Sequence, residues 1–574
     1  MSDKISILFP KNELEYKKMS DVTVHDIGMD AVISRLSNQP NEQQYIMNVM
    51  RLITNDAETA RYRAEVFDDI YKNPDLRKQI METLDRINFL KEYGSYKHDH
   101  DHDPGVWDLL HRLDELGDYI SGIDALRKCL GEARINSVGL KRLKDYADKL
   151  YYDNGYEGLK KDIDELKADT RNLKSVTVGI NLNERFEACG IGIISLNNKA
   201  FTKSNVVSHF IDKVSMKDNI NSDTEWNGNY KFDEFTAKNP LTRNDMPIIP
   251  PLSPIALMSL RTVPESDENT RSITNYMDEI TERMLSHTVK HLRDVLGKYT
   301  MLKITDITDL MPEFIYYIRW AEYIEKLTEK GYEFCKPEVG IFPGDTDASM
   351  YSNGVYNMKL ALDDKQSFDD IVSNNLTFDK SHCMYILTGA NRGGKTTITQ
   401  AVGQLFFMAQ GGIYVTGKSF IYKPVDMIFT HFPADEDKTM DLGRLGEECK
   451  RFREMYVEAT GNSLILLNET FSTTSFEEGY YIARDCSRAI LKKGMRTIYN
   501  THMHKLAYDV DEINAESTEY KAASLIVSSK DGKRSYKVEV APPKGLSYAS
   551  DIAEKYGVTY ELLTVQGDGV SGPF

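Results

Sequence analysis

Apolar residues recur at three- and four-residue intervals from about Val22 to Leu173, as in D-A-V-I-S-R-L (Asp30–Leu36) and R-Y-R-A-E-V-F-D-D-I-Y (Arg61–Tyr71). That period lays an apolar stripe along a helix, with dense charge on the other face. Asn73-Pro74 and Asp103-Pro104-Gly105 read as breaks between helices. The texture then changes. Ser175–Ile180 and Gly190–Leu196 are rich in Val and Ile, bounded by Asn and Gly, and read as short strands. Residues 217–270 lose periodicity and include I-I-P-P-L-S-P, an irregular connection or insertion. Two long helices follow, roughly Thr270–Tyr299 and Ile304–Lys330. From Cys335 to about Val540 short apolar strands alternate with helices, the signature of an α/β layer on a parallel sheet. The expected organisation is a helical domain over 1–216, the connection over 217–270, two helices within 271–335 and an α/β domain over 336–574.

Composition narrows the class. At 574 residues, two to four domains are expected; hydrophobic content of 41% and charged content of 28% are those of a globular protein in water. No unbroken apolar run reaches the roughly 18 residues of a membrane helix, and the start M-S-D-K-I-S-I-L-F-P is not that of a secretory signal. The six cysteines (129, 189, 335, 383, 449, 486) form no C-x-x-C pair, which suits buried thiols in a reducing cytoplasm. The net charge of −17 confines any nucleic-acid contact to local basic patches.

The sharpest chemistry lies in Y-I-L-T-G-A-N-R-G-G-K-T-T, residues 385–397. Gly389, Gly394, Lys395 and Thr396 satisfy G-x-x-x-x-G-K-[ST], after an apolar strand (Met384–Leu387) and before a helical stretch (Thr397–Met408). Glycines let backbone N–H groups turn inward around a phosphate, and the helix start adds a positive dipole end. Lys395 would supply a cation to the β- and γ-phosphates of ATP, and the Thr396 hydroxyl a ligand to Mg²⁺. Downstream, S-L-I-L-L-N-E-T (463–470) reads as a buried strand whose tip carries Asn468 and Glu469. In P-loop ATPases of the ABC type the first tip position usually carries Asp, which holds Mg²⁺ through water. Asn468 brings no charge, so metal binding is expected to be weaker there, while Glu469 remains available as a base. A further strand, M-R-T-I-Y-N-T-H (495–502), delivers His502 to the same sheet edge as a γ-phosphate sensor.

In order, G-A-N-R-G-G-K-T-T, I-F-T-H-F, L-L-N-E-T-F-S-T-T-S and T-I-Y-N-T-H resemble the ATPase domain of the MutS family, which typically shows G-P-N-M-G-G-K-S-T, I-F-T-R, L-x-D-E-x-x-x-G-T-S and T-x-F-A-T-H. The tail A-P-P-K-G-L-S-Y-A-S-D-I-A-E-K-Y-G-V (541–558) resembles the family's P-G-x-x-x-x-S-Y-G-x-x-V-A-x-L-A-G. The resemblance covers about Asp370–Val558 and extends more weakly to the long helices. It implies an α/β P-loop NTPase domain of the ABC type, preceded by a mostly helical core and lever domain. It also implies an ATP-controlled homodimer that clamps duplex or branched DNA in repair or recombination.

The resemblance places nucleotide contacts at Gly389, Asn391, Gly393, Gly394, Lys395, Thr396 and Thr397. It aligns the family's adenine-stacking aromatic near Ile371, with Asn374 matching the Asn just after it. The signature loop that reaches the partner subunit's nucleotide falls on A-D-E-D-K-T-M-D-L-G-R-L-G-E-E, with Gly443 or Arg444 where the family has Ser. Asn468 and this loop together motivate a second expectation, a nucleotide-binding scaffold with negligible ATP hydrolysis that binds a protein partner. Neither the family's N-terminal mismatch reader nor a C-terminal Smr nuclease domain is expected: Phe232-Asp233-Glu234 fits F-x-E only literally, inside the irregular segment. The run Lys97-His98-Asp99-His100-Asp101-His102-Asp103 defines no closed metal set. Lys141, Arg142, Lys144, Lys160, Lys161 and Lys167 sit among acids as an ordinary solvated face.

Overall fold

A computed structural model describes residues 5–11, 14–82, 106–152, 154–170, 175–182, 184–185, 188–197, 286–296, 310–344, 347–363, 366–390, 393–433, 443–517, 519–530, 533–543, 554 and 556–565. These fall into two compact units, one within residues 1–81, 129–145 and 309–574, the other within 82–128 and 146–308. The units interleave along the chain, whereas the sequence pattern suggests four consecutive blocks. The irregular 217–270 segment and the His/Asp run lie outside the described residues.

The first unit is built on a six-stranded sheet. Its strands are β1 (Met384–Thr388), β2 (Ile428–His431), β3 (Leu464–Asn468), β4 (Arg496–Asn500), β5 (Ala522–Lys530) and β6 (Lys533–Val540). They lie side by side in the order β2-β3-β4-β1-β5-β6, parallel except for the β5–β6 hairpin. Parallel strands covered on both faces read as unbroken apolar runs, and β3 is Leu-Ile-Leu-Leu with all four side chains at 0% exposure.

Ile465, Leu467, Met384, Ile386 and Tyr499 pack on one face with residues of two helices, α7 (Gly443–Glu458) and α8 (Phe476–Lys493). Against the other face lies α6 (Lys395–Gln410), whose Gly403 comes so close to Leu466 that a Cβ there would stand 2.8 Å from its Cδ1. The ends of α8 are written in its sequence. Ser475 accepts from Glu478 N, Glu477 and Glu478 occupy the first turn, Lys492 and Lys493 the last, and Gly494 stops it at φ 69°.

The N-terminal residues belong to the same unit. Short helices α1 (Asp21–Asp26) and α2 (Met29–Ile33) lie along α6: Gln404 Nε2 donates to Ile27 O at 2.8 Å and Gln400 Nε2 to Asp26 O at 2.7 Å. Next come α3 (Pro40–Met50) and α4 (Ala57–Lys72), and both pack against α5 (Met311–Glu329). That long helix buries Tyr316, Tyr317 and Trp320 completely, and Tyr316 Oη donates to Gly411 O, just past α6, at 2.8 Å. Arg63 of α4 reaches the same place, donating to Gln410 O at 3.0 Å. Long-range hydrogen bonds therefore tie the helix after the Gly389 loop to the N-terminal helices at Gln400, Gln404 and Gln410.

In the second unit, Ser175–Leu182 and Ala188–Asn197 form an antiparallel hairpin where the sequence places two strands. Within it the helix Asn154–Thr170 meets Ser286–Leu296. Lys160 pairs with Asp124 at 2.8 Å and Lys161 with Glu165 at 3.9 Å, so these two lysines face acids as the sequence suggests.

Candidate functional site

Five parallel strands end at one edge of the sheet. The chain leaves β1 into the Gly389–Gly394 loop, β3 at Asn468 and Glu469, and β4 at Asn500 to His502. Clefts at the carboxyl ends of parallel strands are where such folds take ligands. At this edge Gly389 turns at φ 145° and Gly394, the N-cap of α6, at φ 88°, values open to glycine and strained for other residues. The backbone thus turns directly into α6, whose first N–H groups have no partners within the helix.

Lys395 opens α6 and is 6% exposed. Its Nζ donates to Gly389 O at 3.1 Å and Ala390 O at 3.3 Å, both in its own loop. Burial pushes its pKa below the ordinary value, opposed only by the charge of Glu469. A buried ammonium held by two neutral carbonyls is an electrostatic deficit that an anion at the loop would relieve.

Thr396, exposed, donates from Oγ1 to Asn468 Oδ1 at 3.1 Å. Asn500 Nδ2 donates to Thr396 Oγ1 at 3.3 Å and also to Asn468 Oδ1. Glu469 sits at φ 53°, a left-handed conformation uncommon for a non-glycine residue. Its Oε2 meets His502 Nδ1 and accepts from His502 N at 3.2 Å. Burial pushes the Glu469 carboxyl up, but the His502 hydrogen bond and charge, with Lys395, outweigh it and hold the group below the ordinary range. The same hydrogen bond raises the pKa of His502 against its own partial burial.

Among the described residues no group of three or more His, Cys, Asp or Glu side chains is placed to hold a metal. Beside the Glu469 carboxylate, the oxygen donors at the edge are the Thr396 hydroxyl and the Asn468 and Asn500 amides, which fit a hard cation such as Mg²⁺ shared with phosphate oxygens, not a closed protein cage. The buried Oδ1 of Asn500 has no partner among the described residues, an acceptor that a cation-bound water would satisfy.

Gly393 and Thr397 lie in the loop and first helical turn, and Thr397 O accepts from Asn357 Nδ2 at 3.0 Å. Asn391 lies outside the described residues, as do residues 434–442 of the expected signature loop; Gly443 and Arg444 begin α7 and their side chains are likewise outside them. Ile371 is 9% exposed. The Asn374 amide is spent on β6: Nδ2 donates to Tyr536 O at 3.2 Å and Oδ1 accepts from Val538 N at 2.9 Å. Asn374 thus ties the strand Asn374–Phe378 to β6. Phe232–Glu234 lies outside the described residues.

Three residues at this edge escape the sequence reading. Asn500 stands two positions before His502 and becomes visible only when β3 and β4 are set in register. His504 stands two positions past His502, with a buried Nδ1 that has no partner among the described residues and a pKa lowered by burial and then by Lys395 and His502. Tyr536, 46% exposed at φ 56°, lies over the loop: its Cδ1 is 3.3 Å from where a Gly394 Cβ would stand. Asp531-Gly532 is the hairpin signal that could have brought β6 back to the loop.

Comparison with known proteins agrees with this architecture. A model of MutS domain V matches residues 385–564, and a model of the MutS2 N-terminal domain matches residues 55–330. Endonuclease MutS2 of Thermus thermophilus is 27% identical over 197 residues, 34% of this chain and 25% of that protein. The DNA mismatch repair protein MutS of Chlorobium phaeobacteroides is 33% identical over 178 residues, 31% of this chain and 20% of that protein. That of Exiguobacterium is 30% identical over 188 residues, 32% of this chain and 22% of its own length. The aligned stretch therefore spans a quarter or less of each of these relatives.

Proposed function

Because this chain belongs to the MutS family, we propose that it is an ATP-dependent DNA-binding protein of repair or recombination, acting as a nucleotide-controlled dimeric clamp. The observation that carries the proposal is Lys395, a buried cation hydrogen-bonded, among the described residues, to its own loop, beside Thr396, Asn468, Glu469 and His502. Nucleotide binding draws Lys395 Nζ off the Gly389 and Ala390 carbonyls and onto phosphate oxygens. Thr396 Oγ1 and Asn468 Oδ1 would hold the cation side, and the half-exposed ring of Tyr536 offers a flat apolar surface next to the loop. Mg²⁺, when bound, draws charge from the β- and γ-phosphates.

Hydrolysis requires Glu469 to release His502. Its Oε2 then takes a proton from the attacking water as the new P–O bond forms and the bond to the bridging oxygen breaks, while His502 turns to the γ-phosphate. The position aligned with the family's signature Ser, Gly443 or Arg444, would serve the nucleotide of a second copy. The hydrogen bonds from α6 to α1, α4 and α5 supply a path by which loop closure moves the helices.

The first test is binding of a fluorescent ATP analogue, with Lys395→Ala as the negative control. Homoduplex, mismatched and four-way-junction DNA, each with and without nucleotide, form the second. A folded protein that binds no analogue, or none of these DNAs in any nucleotide state, refutes the clamp.

A second reading has its own observation: Glu469 is engaged twice by His502, and Asn468 carries no charge. Both features suit a nucleotide-binding scaffold with negligible turnover. Steady-state hydrolysis separates the two, because true turnover must fall in both Glu469→Gln and Lys395→Ala.

A further inference from the structure

Asn468 and Asn500 stand opposite one another in the register of β3 and β4, and they are 9% and 1% exposed. A carboxylate at a strand tip has two equivalent oxygens and presents one to a cation whichever way it turns. A carboxamide has an oxygen end and an N–H₂ end, and only the oxygen end serves a cation or accepts from its water. Something must therefore fix its rotation. In this protein the fixing group is Asn500, whose Nδ2 donates to Asn468 Oδ1 and to Thr396 Oγ1 at 3.3 Å. Thr396 Oγ1 in turn donates to Asn468 Oδ1 at 3.1 Å and closes the triangle. The Oδ1 of Asn500 remains buried without a partner among the described residues, and its desolvation is uncompensated until a donor reaches it.

We propose that Asn500 is the positioning residue of an uncharged cation site: it turns the Asn468 oxygen toward Thr396 and offers its own Oδ1 to a water on a divalent cation brought in with nucleotide phosphates. The proposal rests on the nucleotide-binding reading above. It has two consequences. With no charge on the side chains that would serve the cation, Thr396, Asn468 and Asn500, divalent cation affinity comes from the phosphates and from preset neutral oxygens. Orientation therefore matters more here than in a site with a carboxylate.

The experiment titrates a fluorescent ATP analogue into the full chain, in EDTA and across a range of Mg²⁺ concentrations. Asn500→Ala is expected to raise the Mg²⁺ concentration for half-maximal tightening by about tenfold or more, the usual cost of removing a group that orients a metal ligand. Its affinity in EDTA is expected to stay at the native value. Asn468→Asp is expected to lower the Mg²⁺ requirement on the order of tenfold, because ligand charge governs hard-cation affinity. In that Asn468→Asp background, adding Asn500→Ala should cost little, since a carboxylate needs no orienting.

Asn500→Ser serves as the second variant if Asn500→Ala does not fold, as judged by circular dichroism. Equal weakening in EDTA and in Mg²⁺ means a merely structural role and overturns the proposal. So does an equal cost of losing Asn500 in the native and Asn468→Asp backgrounds. Failure of the folded native chain to bind the analogue at all is a different result and removes the nucleotide reading itself.

Discussion

Replacing Lys395 by Met should make the nucleotide-free protein more stable while abolishing its response to nucleotide. Lys395 is 6% exposed, its ammonium reaches, among the described residues, two loop carbonyls at 3.1 and 3.3 Å, and burial depresses its pKa. Methionine has a similar length and no charge to desolvate. Exchanging a buried, poorly compensated ion for an apolar side chain of like size is often stabilising, and a gain of about 1–2 kcal/mol is expected here. Nucleotide acts in the opposite direction. A ligand at about one hundred times its Kd stabilises the native protein by about 2.7 kcal/mol, and the variant forfeits that term. The order of stability therefore reverses: Lys395→Met is ahead without ATP and behind with it.

Urea unfolding followed by tryptophan fluorescence in a Trp107→Phe, Trp226→Phe background, which leaves Trp320, fully buried in α5 of the same unit, reads both states. The reasoning is refuted if Lys395→Met is the less stable protein without nucleotide. It is refuted equally if saturating ATP stabilises both proteins to the same extent. A residue kept at a cost to stability is kept for what it binds, and the reversal measures that directly.

Other outcomes follow from the same geometry. His431 is 3% exposed, its Nδ1 meets Thr470 Oγ1 at 3.1 Å and its Nε2 donates to Glu448 O at 3.2 Å, and burial pushes its pKa down to about 4. The unfolded chain binds this proton below its ordinary pKa near 6.5, so stability should fall by up to roughly 3 kcal/mol as pH drops from 6.5 to 4. Urea midpoints that vary equally with pH in the native protein and in His431→Asn would contradict this. For the Glu469–His502 pair the signs oppose: the raised His502 contributes stability below its ordinary pKa that is lost as pH rises through the folded value, and the lowered Glu469 contributes stability that is lost as pH falls through its own. Glu469→Gln should thus lower the His502 pKa toward its ordinary value, which NMR of labelled histidines detects; an unchanged pKa breaks the assignment. A Cβ on Gly403 would stand 2.7 Å from Ile27 Cγ2 and 2.8 Å from Leu466 Cδ1, so Gly403→Ala should destabilise by about 1–3 kcal/mol. Adding Ile27→Ala should recover part of the loss, whereas strictly additive effects mean that α1 and α6 do not meet there.

The order of elements in the C-terminal half was legible in the sequence because local rules decide it. An apolar strand, a glycine turn and a helix start are set by neighbours in the chain, and the pattern placed β1, β3, β4 and α6 within a few residues. It also placed Lys395, Thr396, Asn468, Glu469 and His502 at the tips of those elements. What it left open is everything set by register and by distant packing. Asn500 matters because parallel pairing brings it opposite Asn468, a relation between residues 32 positions apart that no local period encodes. Asn374 aligns with a nucleotide contact, yet its amide is taken by the backbone of β6, more than 160 residues along the chain. The N-terminal helices read as part of a separate helical block, and tertiary packing lays them against α6 through Gln404 and Arg63. Sequence determined which chemical groups this protein carries and which element ends present them. The fold alone decided which of those groups meet, because hydrogen bonds between strand tips and helix backs depend on how the layers stack.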